Sequence, residues 1–136
     1  MKILALDIGD QWTGVAISDA LGMLTRPYTT VETEKLIAFL GPLCAQEKIK
    51  TVVIGYPVTM RGTMSEQTKK VESYKEKLEQ EFPLLIFVFQ DERLSSKQAT
   101  GIKKAFTKEE KLGTHARAAA FILTTYLERT RKQSEQ

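Results

Sequence analysis

The chain begins with Ile3-Leu4-Ala5-Leu6-Asp7-Ile8, an almost unbroken apolar run that contains one carboxylate. A run this short and this apolar fits a strand buried on both faces, the central position of a sheet. Side chains alternate along a strand, so Asp7 shares a face with Ile3 and Ala5. A carboxylate near the end of a buried strand is costly unless it is paired, hydrogen-bonded or metal-bound. The bland alternative is an acid that serves the turn at Gly9 and Asp10, a common use of Asp.

The segments that follow constrain the topology. Thr13 to Ser18 reads as a second strand in a hairpin with the first, and Asp19 to Gly22 as a turn. Met23 to Thr30 reads as a third strand, which Pro27 confines to a sheet edge or a bulge. Leu36, Phe39, Leu40 and Leu43 then give helical spacing over Thr33 to Glu47, with Pro42 inside it. Thr51 to Gly55 is a β-branched strand and Tyr56 to Thr63 a loop. Ser65 to Glu81 is a helix that Ser65 can cap, and Leu84 to Phe89 a strongly apolar strand. Ser95 to Phe106 is a further helix, 107–114 a charged loop, and His115 to Arg131 a closing helix. Three strands in a meander, then two strands each preceded by a helix, predict an α/β fold: a mixed five-stranded sheet ordered 3-2-1-4-5 with helices on both faces. The 136 residues fit one domain over 1–131 and a polar tail over 132–136.

Composition excludes several kinds of chemistry. One cysteine, Cys44, and one histidine, His115, rule out an internal disulfide, a cysteine-cluster zinc site and a His-rich metal site. The amino-terminal apolar run meets an acid too soon for a signal peptide or a membrane span, so a soluble cytoplasmic protein is expected. The net charge is +3. Residues 1–64 hold 6 basic and 6 acidic side chains, so the surplus lies wholly in the second half. It concentrates at Lys97, Lys103, Lys104 and Lys108, with Arg117 further along, as a phosphate-binding surface would require. The bland alternative is a solvated helix face.

Three places carry candidate chemistry. Asp7 ends the first strand. Asp91 and Glu92 follow the last strand, at the carboxyl end where α/β sheets usually place ligands, with Arg93 and Ser95 beside them. His115, Ala119, Ile122 and Tyr126 share one helical face, so His115 projects from the sheet-facing side at the helix start, where a neutral imidazole is expected. In the 3-2-1-4-5 order these groups converge at one rim. Two or three hard ligands there suit Mg²⁺ or Mn²⁺, and such an ion activates water against a phosphodiester. Trp12 is a candidate for stacking on a base, and Met60 and Arg61 are candidate substrate contacts. Gly55-Tyr56-Pro57, with Gly62 beyond, is a weak candidate for a phosphate-cradling loop.

Read in order, Leu6-Asp7-Ile8-Gly9, Gly14-Val15-Ala16-Ile17-Ser18-Asp19, Val53-Ile54-Gly55-Tyr56-Pro57, Asp91-Glu92-Arg93-Leu94-Ser95-Ser96 and Ala118-Ala119-Ala120 with Ile122-Leu123 and Tyr126-Leu127 resemble the YqgF/RuvX family of the RNase H-like superfamily. The resemblance spans nearly the whole chain. It implies an RNase H-like fold and metal-dependent phosphodiester hydrolysis. Members are described as nucleases that process the 5′ end of precursor 16S ribosomal RNA, and also as Holliday-junction resolvases. The family's acids carry over to Asp7 and to Asp91-Glu92-Arg93, with Glu92 the preferred metal-site acid. A metal set of Asp7, Glu92 and His115 follows.

Two positions depart from the family pattern. His115 stands where the family usually has Asp just before the alanine-rich helix. Imidazole suits Mn²⁺ better than Mg²⁺ and adds no negative charge. Gln11 and Trp12 stand where the family favours basic residues. The expected partner is nucleic acid, precursor rRNA ahead of branched DNA, bound by a monomer or weak homodimer. A nucleic-acid-binding protein with a degraded site is the alternative outside the enzyme class. A sugar-kinase-like ATPase, suggested by Asp7-x-Gly9 with Thr13-Gly14, is set aside because it needs two such domains.

Overall fold

The computed structural model describes residues 2–57, 66–91 and 108–134, the last segment at side-chain level over 113–131. Five strands, β1 (Ile3–Ile8), β2 (Trp12–Ser18), β3 (Thr25–Glu32), β4 (Thr51–Tyr56) and β5 (Ile86–Asp91), form one sheet ordered β3-β2-β1-β4-β5. β1 pairs antiparallel with β2 and parallel with β4, and β4 pairs parallel with β5. This is the expected order with β1 at the centre. Pro27 meets both expectations: β3 is an edge strand, and the β2–β3 register shifts between Val15 and Ala16, where Pro27 pairs.

A single 3-10 turn (Thr33–Lys35) leads into α1 (Leu36–Glu47), which runs through the exposed Pro42. α2 spans Glu66–Glu81 and α3 spans Lys108–Ser134. The two faces of the sheet pack differently. Leu4, Leu6, Ile8, Val15, Ile17, Val52, Ile54 and Phe87 meet Leu36, Leu40 and Leu43 of α1 and Val71 and Leu78 of α2 in a core of large side chains. On the other face Ala5, Ala16 and Val53 meet Ala119, Ile122, Leu123 and Leu127 of α3. Small residues on both partners let α3 lie close to the sheet, which explains the alanine run in its sequence.

Several boundaries differ from the sequence expectation. β5 lies two residues later, because Leu84 is 92% exposed and the ladder starts at Ile86. Asp91 is therefore inside the strand. β4 likewise includes Tyr56. α3 begins at Lys108, so the charged 108–114 stretch is helix rather than loop; Lys and Glu are good helix formers even without an apolar stripe. His115 consequently sits in the third turn of α3, and the expectation that it opens the helix, with the electrostatics of an N-terminus, is corrected. The helix also continues through Ser134, into what the sequence reads as a tail. The expected helix over Ser95 to Phe106 lies outside the described residues.

Candidate active site

The rim at the carboxyl ends of β1, β4 and β5 collects the candidate residues. Asp7 pairs with Gly14 across the β1–β2 ladder. Gly14 is where α3 touches the sheet backbone to backbone. A Cβ added there would lie 1.9 Å from the carbonyl oxygen of His115 and 2.9 Å from the nitrogen of Ala116. Only glycine permits that approach, and it fixes His115 beside Asp7. The electrostatics agree: burial raises the Asp7 carboxyl above its ordinary 3.8, and the nearby charge of His115 pulls it part of the way back. Asp7 keeps partial contact with solvent at the rim, as does His115.

The turn that follows Asp7 is held from the opposite face. Gly9 donates its N–H to the Trp12 carbonyl at 3.0 Å, and a Cβ on Gly9 would fall 2.6 Å from that oxygen. Thr33 donates its hydroxyl to the Gly9 carbonyl at 2.7 Å and accepts from the buried Thr13 hydroxyl at 2.9 Å. Gln67 of α2 donates to the Ile8 carbonyl at 2.9 Å, and Tyr74 donates to the Thr33 carbonyl at 2.6 Å. The Lys70 ammonium pairs with Asp10 at 3.0 Å. Asp10 and Gly9 thus serve the turn, while Asp7 makes no contribution to it on this face.

Register and alternation sort the remaining candidates. Leu6 pairs with Ile54 and Gly55 pairs with Gln90, so Asp7, Gly55 and Gln90 lie level on three adjacent strands. Val53 and Val88 belong to the α3 face, which places Gly55 and Gln90 there too, with Asp7. Asp91 is one residue out of step: it shares the α1/α2 face with Phe87 and Phe89 and is exposed. Asp91 therefore lies on the face of the sheet opposite Asp7. Tyr56 is on that opposite face as well, with its ring 4.6 Å from Phe89 and its hydroxyl donating to Glu72. Thr68 donates to the Pro57 carbonyl. Tyr56 and Pro57 anchor α2, and the rest of the candidate phosphate loop, 58–65, lies outside the described residues.

Trp12 begins β2 on the α3 face, half-buried, at the same rim as Asp7. Arg117 is exposed two residues beyond His115 and donates to the Thr114 hydroxyl at 3.3 Å. Met60, Arg61, Glu92, Arg93, Ser95, Lys97, Lys103 and Lys104 lie outside the described residues, as does the side chain of Lys108. Gln90 was not a candidate from sequence. It is 8% exposed, and its Oε1 is buried without a hydrogen-bond partner among the described residues. No residue type announces such a group, but counting alternate positions from Val88 would have found it.

Among the described residues no group of three His, Cys, Asp or Glu side chains is close enough to hold a metal ion. The donors that are described nevertheless fit a hard divalent cation. Asp7 offers a desolvated carboxylate, His115 an imidazole beside it, and Gln90 an unused carbonyl oxygen on the same face.

A 3-2-1-4-5 mixed sheet with its central antiparallel hairpin and helices on both faces is the RNase H-like architecture. The solved structure of Thermus thermophilus RuvC in complex with a Holliday junction substrate superposes with a TM-score of 0.61 over 96% of each chain, at 16% identity. Residues 1–129 match the model of the RuvX family, described as Holliday junction resolvase, and the chain belongs to that family. A Bacteroides thetaiotaomicron relative is 35% identical over 136 residues, covering 96% of this chain and 98% of its own. A Rubrobacter xylanophilus relative is 36% identical over 128 residues, covering 93% and 92%. Both carry the name "Putative pre-16S rRNA nuclease".

Proposed function

We propose that this chain is a divalent-metal-dependent endonuclease that hydrolyses phosphodiester bonds, processing the 5′ end of precursor 16S rRNA in ribosome biogenesis. The observation that carries the reading is the placement of Asp7. A desolvated carboxylate stands at the rim of the central strand, with His115 pressed beside it through Gly14. The names of the full-length relatives support the substrate.

Asp7, Glu92 and His115 would hold the ion, Mg²⁺ or Mn²⁺. When bound, it lowers the pKa of a water and neutralises charge on the phosphodiester. The protein's own residues do the rest. Asp7 is desolvated and held in register by the hairpin. Trp12, on the same face and rim, offers an aromatic surface for a base in place of the basic residues usual in the family. Arg117 presents a cation at the α3 side, and Arg61, Arg93, Ser95, Lys97, Lys103, Lys104 and Lys108 supply further phosphate contacts. Asp91, on the opposite face, is left out of the ion's shell. The chain works as one domain that runs to the end of α3, in the cytoplasm. Among the described residues no helix is long and apolar enough to cross a membrane.

A second reading is resolution of four-way DNA junctions, favoured by the family description. It requires two sites acting together and hence a stable dimer. Purified protein incubated with labelled precursor RNA and with a labelled four-way junction, each with Mg²⁺ and with Mn²⁺, separates the two. Cleavage of the RNA at its 5′ side supports the first reading. Paired symmetric cuts in the junction, by a dimer, support the second. Binding without cleavage of either supports a nucleic-acid-binding protein with a degraded site.

A further inference from the structure

Gln90 is a polar side chain on an otherwise apolar stretch of the α3 face, two residues after Val88 and beside Gly55. Its Nε2 donates to the Asp91 carbonyl at 3.3 Å. Its Oε1 is buried, with no donor among the described residues. Most buried polar atoms in proteins have a partner, so an exception calls for a cause. The same face also holds the partly buried carboxylate of Asp7. Two acceptors therefore stand level on β1 and β5, and Gly55, the residue between them on β4, carries no side chain. Among the described residues no donor reaches the Gln90 Oε1.

We propose that Gln90 is a positioning residue of the metal site, its Oε1 accepting a hydrogen bond from a water in the hydration shell of the cation that Asp7 holds. The proposal rests on the metal-dependent reading above and adds a residue to it. Dimensions permit it. Neighbouring strands are about 4.7–4.9 Å apart, so β1 and β5 are about 10 Å apart at this level. Two cation–oxygen bonds of about 2.1 Å, one to the carboxylate and one to the water, and a water hydrogen bond of about 2.8 Å, added to the two side chains, span that gap. A hydrated Mg²⁺ or Mn²⁺ keeps several waters, each a strong donor, and outer partners of this kind tune metal affinity.

The test is Mn²⁺ binding by the full chain, read from the resonance of free Mn²⁺, in wild type, Gln90→Met and Gln90→Glu. Met keeps length and bulk but removes the acceptor; Glu keeps the acceptor and adds charge. The expected result is a loss of Mn²⁺ affinity of roughly tenfold for Gln90→Met, with metal-free thermal stability equal to or above wild type, and tighter binding for Gln90→Glu. A folded Gln90→Met protein with wild-type affinity overturns the proposal. Should that variant fail to fold, Gln90→Glu decides alone, and unchanged or weaker binding overturns it. Wild type that binds no Mn²⁺ removes the metal-dependent reading together with this one, whereas binding by wild type that neither variant alters removes Gln90 alone.

Discussion

Gly14 and His115 meet backbone to backbone: a Cβ on Gly14 would stand 1.9 Å from the His115 carbonyl oxygen. Since Gly14 also pairs with Asp7, this one contact sets the distance between the central strand and the helix that carries the histidine. Gly14→Ala must push α3 outward. It is expected to destabilise the fold by about 1–3 kcal/mol or more, the usual range for overpacking, and to lose cleavage even where the protein still folds. Gly113, two residues before His115 in α3 and exposed with nothing within 4 Å of a Cβ, is the control. Gly113→Ala should stabilise by about 0.5–1 kcal/mol. Chemical denaturation measures both, and a Gly14→Ala protein of wild-type stability would contradict the close approach.

Asp7 gives a pH-dependent prediction. Burial raises its carboxyl above 3.8 in the folded, metal-free protein. Between 3.8 and that raised value the folded state binds more protons than the unfolded state, so Asp7 adds stability as pH falls through this window and costs stability above it. Asp7→Asn should therefore raise the metal-free thermal midpoint by a few degrees at neutral pH, and the gap should close as the pH approaches 3.8. Comparison of the two proteins cancels the opposite behaviour of Asp19, whose carboxyl is lowered by N–H groups of Met23 and Leu24. A gap that does not change with pH would mean that Asp7 is not desolvated.

His115 is tested by adding charge. His115→Asp places a second carboxylate beside Asp7. Without metal the two repel, so the thermal midpoint should fall. With Mg²⁺ the site gains a harder, charged ligand, and Mg²⁺ affinity should rise roughly tenfold. Native protein should respond more to Mn²⁺ than to Mg²⁺. Thermal shifts with and without each ion report both effects, and an unaltered Mg²⁺ response in the variant would take His115 out of the site.

Binding to nucleic acid is predicted to depend on Lys97, Lys103, Lys104 and Lys108. Each phosphate contact contributes roughly 0.7–0.9 to the slope of log affinity against log salt. Changing all four to Gln should flatten that slope by about 3. An unchanged slope would place the phosphate contacts elsewhere.

Much of this architecture is legible in the sequence because period and polarity carry it. The apolar run around Asp7, the β-branched Thr51–Gly55 segment and the proline in the third strand lead to the observed strand order and to the edge position of β3. What stays hidden depends on contacts between distant residues. Leu84 and Leu85 extend the apolar run before β5, so hydrophobicity alone starts that strand two residues early and leaves Gln90 and Asp91 beyond its end. The first turns of α3 are charged and show no apolar stripe, so the helix appears to begin at His115. The Thr13–Thr33 hydrogen bond and the Gly14–His115 contact join segments 20 and about 100 residues apart, and no local pattern encodes them.

The central claim is that Asp7 anchors a cation used to cut RNA. The most direct measurement compares wild type with Asp7→Asn on 5′-labelled precursor 16S rRNA, in Mg²⁺, in Mn²⁺ and in chelator, with RNA binding measured alongside. The account predicts cleavage by wild type only with a divalent ion, and none by Asp7→Asn despite normal folding and nearly wild-type RNA binding. Cleavage by Asp7→Asn at the wild-type rate, or by wild type in chelator, would contradict it.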